Sequence, residues 1–106
     1  MKVIKNNLIP LKGFLAINLF GILFVRDNAE ISERTIRHES IHTRQMQELL
    51  YIVFYLIYII EWFVRLFMIG NAYRNISFEK EAYENQDNES YLKERKSFAW
   101  AKYLMG

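Results

Sequence analysis

The sequence contains no cysteine, which excludes disulfides, thiolate metal sites and a cysteine nucleophile. It has one proline, Pro10, and four glycines, so long loops are few. There are only two histidines, His38 and His42, and any imidazole metal site must use them and complete itself with carboxylates. Charge of one sign is also scarce. Fourteen basic and 12 acidic side chains leave a formal net charge of +2, dispersed along the chain, and give no case for nucleic acid. Internal repeats and low-complexity tracts are absent.

What is present is apolar. The 106 residues make one domain at most, and 52% of them are hydrophobic and 16% aromatic. That is too apolar for a disordered chain. It is also rich for a small domain, which has little interior, and some of this surface is expected to face lipid or a partner. Met1-Lys2-Val3-Ile4-Lys5 faintly resembles the basic start of a signal peptide. Lys12 interrupts the apolar stretch, however, and no small-residue cleavage site follows Val25, so the N-terminus reads as retained.

Residues 14–25 are apolar, with Asn18 and Gly21 inside the run. The run is short of the ~20 residues of a membrane helix. A strand or hairpin broken near Gly21 fits it about as well as a buried helix, and residues 26–30 read as a turn. Ser32 is a good helix N-cap. No proline or glycine follows until Gly70, so residues 33–69 are expected to form one long helix, or two with a bend. A further helix is expected over 77–85 with Ser77 as its cap, and an amphipathic one over 90–104.

The first helix carries His38-Glu39-Ser40-Ile41-His42. Residues four apart share a helix face, so the two imidazoles can bind one Zn²⁺ at ~2.0–2.1 Å each. Glu39 then stands beside the metal as general base for a zinc-activated water. HExxH has only three fixed positions, and a solvated helix face can carry it by chance. Against chance, both histidines of the chain fall in the motif, and a capped helix without breakers holds it.

A catalytic zinc needs a third protein ligand. Phe78-Glu79-Lys80-Glu81-Ala82-Tyr83 offers two carboxylates at a helix start. Helical spacing puts Glu79, Ala82 and Tyr83 on one face, and the small Ala82 permits close approach. Glu79 is therefore the expected ligand and Glu81 the fallback. Either could instead merely complement the helix dipole.

His38-Glu39-x-x-His42 followed by Glu79-x-x-Ala82 resembles the gluzincin pattern HExxH…ExxA(D) of the membrane-embedded CAAX-prenyl-protease and heat-shock-protease type of zinc peptidase. That resemblance implies His38, His42 and Glu79 as zinc ligands and Glu39 as base. Gluzincins end the pattern with Asp, where this chain has Tyr83. The Tyr83 hydroxyl would serve there as a supporting donor or acceptor, or aid the oxyanion. The runs 37–45 and 73–83 are also similar to a family of small bacterial HExxH proteins; that likeness covers most of the chain and brings no substrate. The fold expected is mainly α: a zincin-like helical core with a long HExxH helix, a second ligand-bearing helix and a short N-terminal β-hairpin.

Residues 49–69 are apolar apart from Glu61 and Arg65, which are placed for a helical ion pair. The length suits a membrane span, although each charge opposes it by about 2.5–3.5 kcal/mol near the bilayer centre. Tyr51, Tyr55, Tyr58 and Trp62 form a stripe suited to core packing or interface anchoring. Membrane association is expected, up to an integral position, and otherwise a cytoplasmic one. The function expected is a zinc-dependent hydrolase, a peptidase acting on a peptide or protein substrate. The alternative is a non-enzymatic membrane-associated metal-binding or helical interaction module.

Overall fold

The computed structural model describes residues 1–8, 16–27 and 30–104. Pro10, Lys12 and the first two residues of the apolar run, Phe14 and Leu15, lie outside them, as do Asn28 and Ala29 of the expected turn.

Helices dominate, joined by a small three-stranded sheet of β1 (Lys2–Asn6), β2 (Ala16–Leu19) and β3 (Ile22–Arg26). The central strand is β3, parallel to β1 and antiparallel to β2. The hairpin expected near Gly21 is β2–β3. Its two-residue turn, Phe20-Gly21, has φ of 51° and 87°, the positive pair that a tight hairpin of this twist requires. Gly21 meets that demand freely; Phe20 is held to it by its N–H, which donates to the Tyr55 hydroxyl at 3.0 Å. In β3, Leu23 and Val25 alternate into the core, both fully buried.

Helix α1 (Glu33–Glu48) begins as expected, with the Ser32 hydroxyl accepting the Thr35 N–H at 3.2 Å. Its buried residues, His38, Ile41, His42, Gln45 and Met46, recur at helical spacing. The helix then stops, and α2 (Ile52–Arg65) leaves at 111° to it. The stop has the hydrogen bonds of a Schellman motif: Tyr51 N–H donates to the Met46 carbonyl at 2.7 Å and Leu50 N–H to that of Gln47 at 3.4 Å. The left-handed position that normally takes glycine is Leu50, with φ of 54°, and Tyr51 follows at φ of 60°.

The apolar stretch 49–69 is therefore not one span. At 14 residues, α2 is roughly 21 Å long, against about 30 Å of bilayer hydrocarbon. No single helix among the described residues is long and apolar enough to cross a membrane; α1 and α2 meet that test only as a bent pair.

Helix α3 (Ser77–Asn85) starts one residue earlier than a Ser77 cap implies, with Ile76 at the cap position. The Glu61 carboxylate accepts both the Ser77 N–H at 2.9 Å and the Ser77 hydroxyl at 2.6 Å, so α2 supplies what the cap does not. The C-terminal helix expected over 90–104 is interrupted. Only α4 (Tyr91–Glu94) and a 3₁₀ turn (Ala99–Tyr103) form, because Arg95 is extended and Phe98 is left-handed at φ of 59°. The interruption lets Arg95 bury its guanidinium and Trp100 pack on Phe78, ring centroids 4.9 Å apart. Met46, Phe54, Ile76, Phe78 and Trp100 form the main core beneath α1 and α3.

Leu50 is 77% exposed and sits in a conformation unfavourable to any side chain. Leu50→Gly is expected to stabilise the protein by about 0.5–1 kcal/mol, because left-handed strain is relieved and so exposed a side chain contributes little packing. Chemical denaturation would show it as a higher midpoint at unchanged slope; a lower midpoint would refute the assignment of strain.

Candidate metal centre

His38 and His42 face inward because they occupy the buried stripe of α1 one turn apart. Glu79 stands in the first turn of α3, which packs across α1 with the fully buried Ala82 between them. The result is a tight triangle. Glu79 Oε1 lies 3.1 Å from His38 Nε2 and 3.0 Å from His42 Nε2, and the two nitrogens are 3.2 Å apart. All three residues are buried. Tetrahedral ligands ~2.0–2.1 Å from zinc are about 3.3 Å from one another, so a cation would need the triangle to open by only a few tenths of an ångström.

The ring orientations suit the same purpose. His38 Nδ1 lies 2.8 Å from the Gln86 amide oxygen, and His42 Nδ1 lies 2.7 Å from the Gln45 amide oxygen. A neutral imidazole that donates from Nδ1 leaves Nε2 bare. The Gln45 amide has little freedom, since its nitrogen donates at 3.0 Å to the Phe78 carbonyl and at 3.0 Å to Glu81 Oε1. The other oxygen of Glu79 is occupied too: the Tyr58 hydroxyl donates to Oε2 at 2.6 Å. Two ring nitrogens and one carboxylate oxygen thus converge, each backed by a partner that orients it. Such a group can hold a divalent cation, and zinc suits this donor set.

Glu81 is not part of it. It is fully buried on the other side of α3, bonded to Gln45, Tyr91 and Arg95. Glu39 is half-buried beside the triangle. It lines two cavities of about 300 Å³ each: one walled by β2, Met46, Phe54 and Tyr58, the other by Thr35, His38, Tyr83 and Gln86. Tyr73 is the other residue lining both. The ring of Tyr83 is wedged between the His38 ring, 4.5 Å away, and the Arg74 guanidinium, 3.9 Å away, and its hydroxyl donates to that of Tyr73 at 3.2 Å.

Sequence reasoning missed Tyr58, Gln45, Gln86 and Tyr73. Gln45 carried a signal, as a polar residue one turn beyond His42 on the face that α1 buries. Tyr58 was visible only as one of four aromatics at helical spacing, and Gln86 and Tyr73 left no periodic trace. Against family models, curated proteins and solved structures, the chain matches none.

Burial acts most strongly on His42 and would lower its pKa, but the Glu79 carboxylate, by charge and hydrogen bond, outweighs it and raises the imidazole to about 9. Glu79 is also buried, which by itself favours its neutral form, yet His42, His38 and Tyr58 together hold it well below the usual carboxylate range. The signs follow. In the metal-free protein the His42 contribution to stability is complete below pH 6.5 and is lost as pH rises towards 9. The Glu79 contribution is present above about 4.5 and is lost as pH falls below it.

A cation must displace the His42 proton. Zinc affinity is therefore expected to climb about tenfold per pH unit from pH 6.5 until it levels near pH 9. Competition with a chelator across that range measures it. An affinity already flat above pH 7 would show that His42 does not hold its proton.

Proposed function

We propose that this chain is a zinc-dependent hydrolase of gluzincin type, and that its substrate is a peptide or protein. The observation that carries the reading is the convergence of the Nε2 atoms of His38 and His42 with Glu79 Oε1, beside a cavity that Glu39 lines. His38, His42 and Glu79 would hold the ion, which supplies Lewis acidity and makes a water easier to deprotonate.

The remaining steps belong to the chain. Glu39, between the two cavities, takes the proton of the attacking water and returns it to the leaving amine. The sequence made Tyr83 the candidate to assist the oxyanion, but its hydroxyl points to Tyr73. Tyr58 is already committed to Glu79, and Tyr55 bonds the backbone of β2. Tyr73 accepts from Tyr83, which leaves its own proton to donate to the carbonyl oxygen as charge develops there. Burial, with the Glu79 carboxylate nearby, raises the Tyr73 pKa and keeps that proton on. Tyr83 then acts as the positioner of Tyr73. A peptide is favoured over smaller substrates because β2 ends the sheet order and its residues line the cavity, so an extended chain can lie along it.

Glu39→Gln is expected to keep zinc and to reduce cleavage of a peptide library by ~10²–10⁴. Tyr73→Phe should lower kcat by about 10² with KM little changed. His42→Ala should lose zinc and cleavage together. Undiminished cleavage by Glu39→Gln would exclude this mechanism, and zinc binding without any wild-type cleavage would favour a non-enzymatic metal-binding module.

We place the working site at a membrane surface. On α2, Ile52, Leu56, Ile59, Ile60 and Phe63 are each more than half exposed and share one face, which continues to Phe67 at 79%. A continuous run of exposed apolar side chains on one helix face marks an interaction surface rather than scattered exposure. A helix too short to span but apolar along its outer face suits the headgroup boundary. Co-sedimentation with phosphatidylcholine–phosphatidylglycerol vesicles is expected, and its loss in Ile59→Lys/Phe63→Lys. Wild-type protein left entirely in the supernatant would refute the placement.

A further inference from the structure

The mechanism makes no use of the most deeply buried charges among the described residues. Glu81 is fully buried, and the Arg95 side chain is 1% exposed. Arg95 donates to Glu81 through Nε at 2.5 Å and Nη2 at 3.1 Å, and to Glu48 through Nη1 at 2.8 Å and Nη2 at 3.0 Å. Tyr91 adds a hydrogen bond to Glu81 Oε2 at 2.7 Å. Buried ionic groups of this kind add little net stability over well-packed apolar side chains of the same volume. What this one does is visible in its next neighbour. Glu81 Oε1 is one of the two acceptors that hold the Gln45 amide, and the oxygen of that amide meets His42 Nδ1.

The direction of this chain of bonds matters. The Phe78 carbonyl and the Glu81 carboxylate can only accept, so together they demand that Gln45 turn its nitrogen towards them. The amide oxygen is then forced towards His42. There it requires a proton on Nδ1 and so leaves Nε2 for the metal. Arg95 is the fork that holds both oxygens of Glu81 in place. Without it the carboxylate loses its counter-charge and the geometry that presents Oε1 to Gln45, and Gln45 keeps only one of its two anchors.

We propose that Arg95 is a positioning residue for the metal centre, acting through Glu81 and Gln45 to determine which nitrogen of His42 is presented to the ion. This rests on the zinc-site reading above. It also gives the C-terminal segment a role, since Arg95 and Tyr91 lie outside the helices that carry the ligands and dock onto both of them, on Glu48 at the end of α1 and on Glu81 in α3. The irregular backbone at Arg95, where a continuous helix was expected, is what lets the guanidinium reach both carboxylates.

The experiment is a double-mutant cycle on zinc affinity, with zinc alone as the probe. It uses Arg95→Lys, which keeps the charge but not the fork, Gln45→Met, of similar volume, and the two together. Each single variant is expected to weaken zinc binding by about 10–100-fold, and the double variant no further than Gln45→Met alone. A second readout separates positioning from general loosening. In the zinc-loaded protein the His42 Nδ1 proton, observed through its ring nitrogen, should exchange slowly in wild type and fast in Arg95→Lys, while the α1 backbone amides keep their protection. Should Arg95→Lys not fold, Glu81→Gln replaces it in the cycle, because a Gln side chain can turn its amide nitrogen to Gln45 and remove the demand for an acceptor. Fully additive losses, or a folded Arg95→Lys that binds zinc as wild type does, would overturn the proposal and leave the metal site standing. A wild-type protein that binds no zinc would remove the site and the proposal together.

Discussion

The arrangement of the helices depends on one buried carboxylate. Glu79 is 4% exposed and keeps its charge, so it must be met on all sides by donors or cations. Those partners come from different elements: His38 and His42 from α1, and Tyr58 from α2. Satisfying Glu79 therefore fixes how closely α3 approaches α1 and where α2 crosses them both. The apolar core formed by Met46, Phe54, Phe78 and Trp100 lies under this contact and supplies most of the burial, but apolar packing alone is indifferent to small sliding. The carboxylate is not, since a shift of one ångström would break three short bonds.

The sharp bend after α1 is the condition for the third of those bonds. Had the chain continued helically through Leu50, α2 would extend along the axis of α1, away from α3. Turning it by 111° brings Tyr58 back over Glu79 and Glu61 back to the first residue of α3. The same turn directs the outer face of α2 away from the rest of the fold. The exposed apolar face and the metal-capable triangle thus come from one backbone event, and Tyr55 and Tyr58 on the inner side of that helix border the cavity next to Glu39.

Much of the site is legible in the sequence, and less of the path that builds it. Spacing puts His38 and His42 on one face, and the face shared by Glu79 and Ala82 selects Glu79 over Glu81; both inferences use only helix geometry, which tertiary contacts seldom alter. Ser32 and Gly21 announce a helix start and a hairpin through local chemistry that works without the rest of the chain. Strand β1 has no such local mark, because its pairing with β3 is wholly non-local. A bend within 33–69 can be expected but not located, because a leucine holds the position where glycine would have marked it. The C-terminal helix falls short of its pattern for a similar reason. Its local sequence is helical, but burying Arg95 between Glu48 and Glu81 outweighs the few backbone hydrogen bonds that a continuous helix would add.

Glu79 and Glu81 show why a pair of nearby carboxylates cannot be read fully from its spacing. Two residues apart on a helix, they point about 200° away from each other, so one cannot substitute for the other. Both are nevertheless buried, and each needs its own set of donors. Gln45 stands at the junction, donating to Glu81 and accepting from the histidine that meets Glu79. The two faces of α3 are thereby joined through a side chain of α1, and a displacement of either carboxylate must be felt by the other through that amide. The pattern of two acidic residues at a helix start looks like a choice between ligands. In the folded chain it is one member of the metal-capable triangle and the anchor of the amide that orients another, and the small Ala82 beside them allows the helices to come close enough for both.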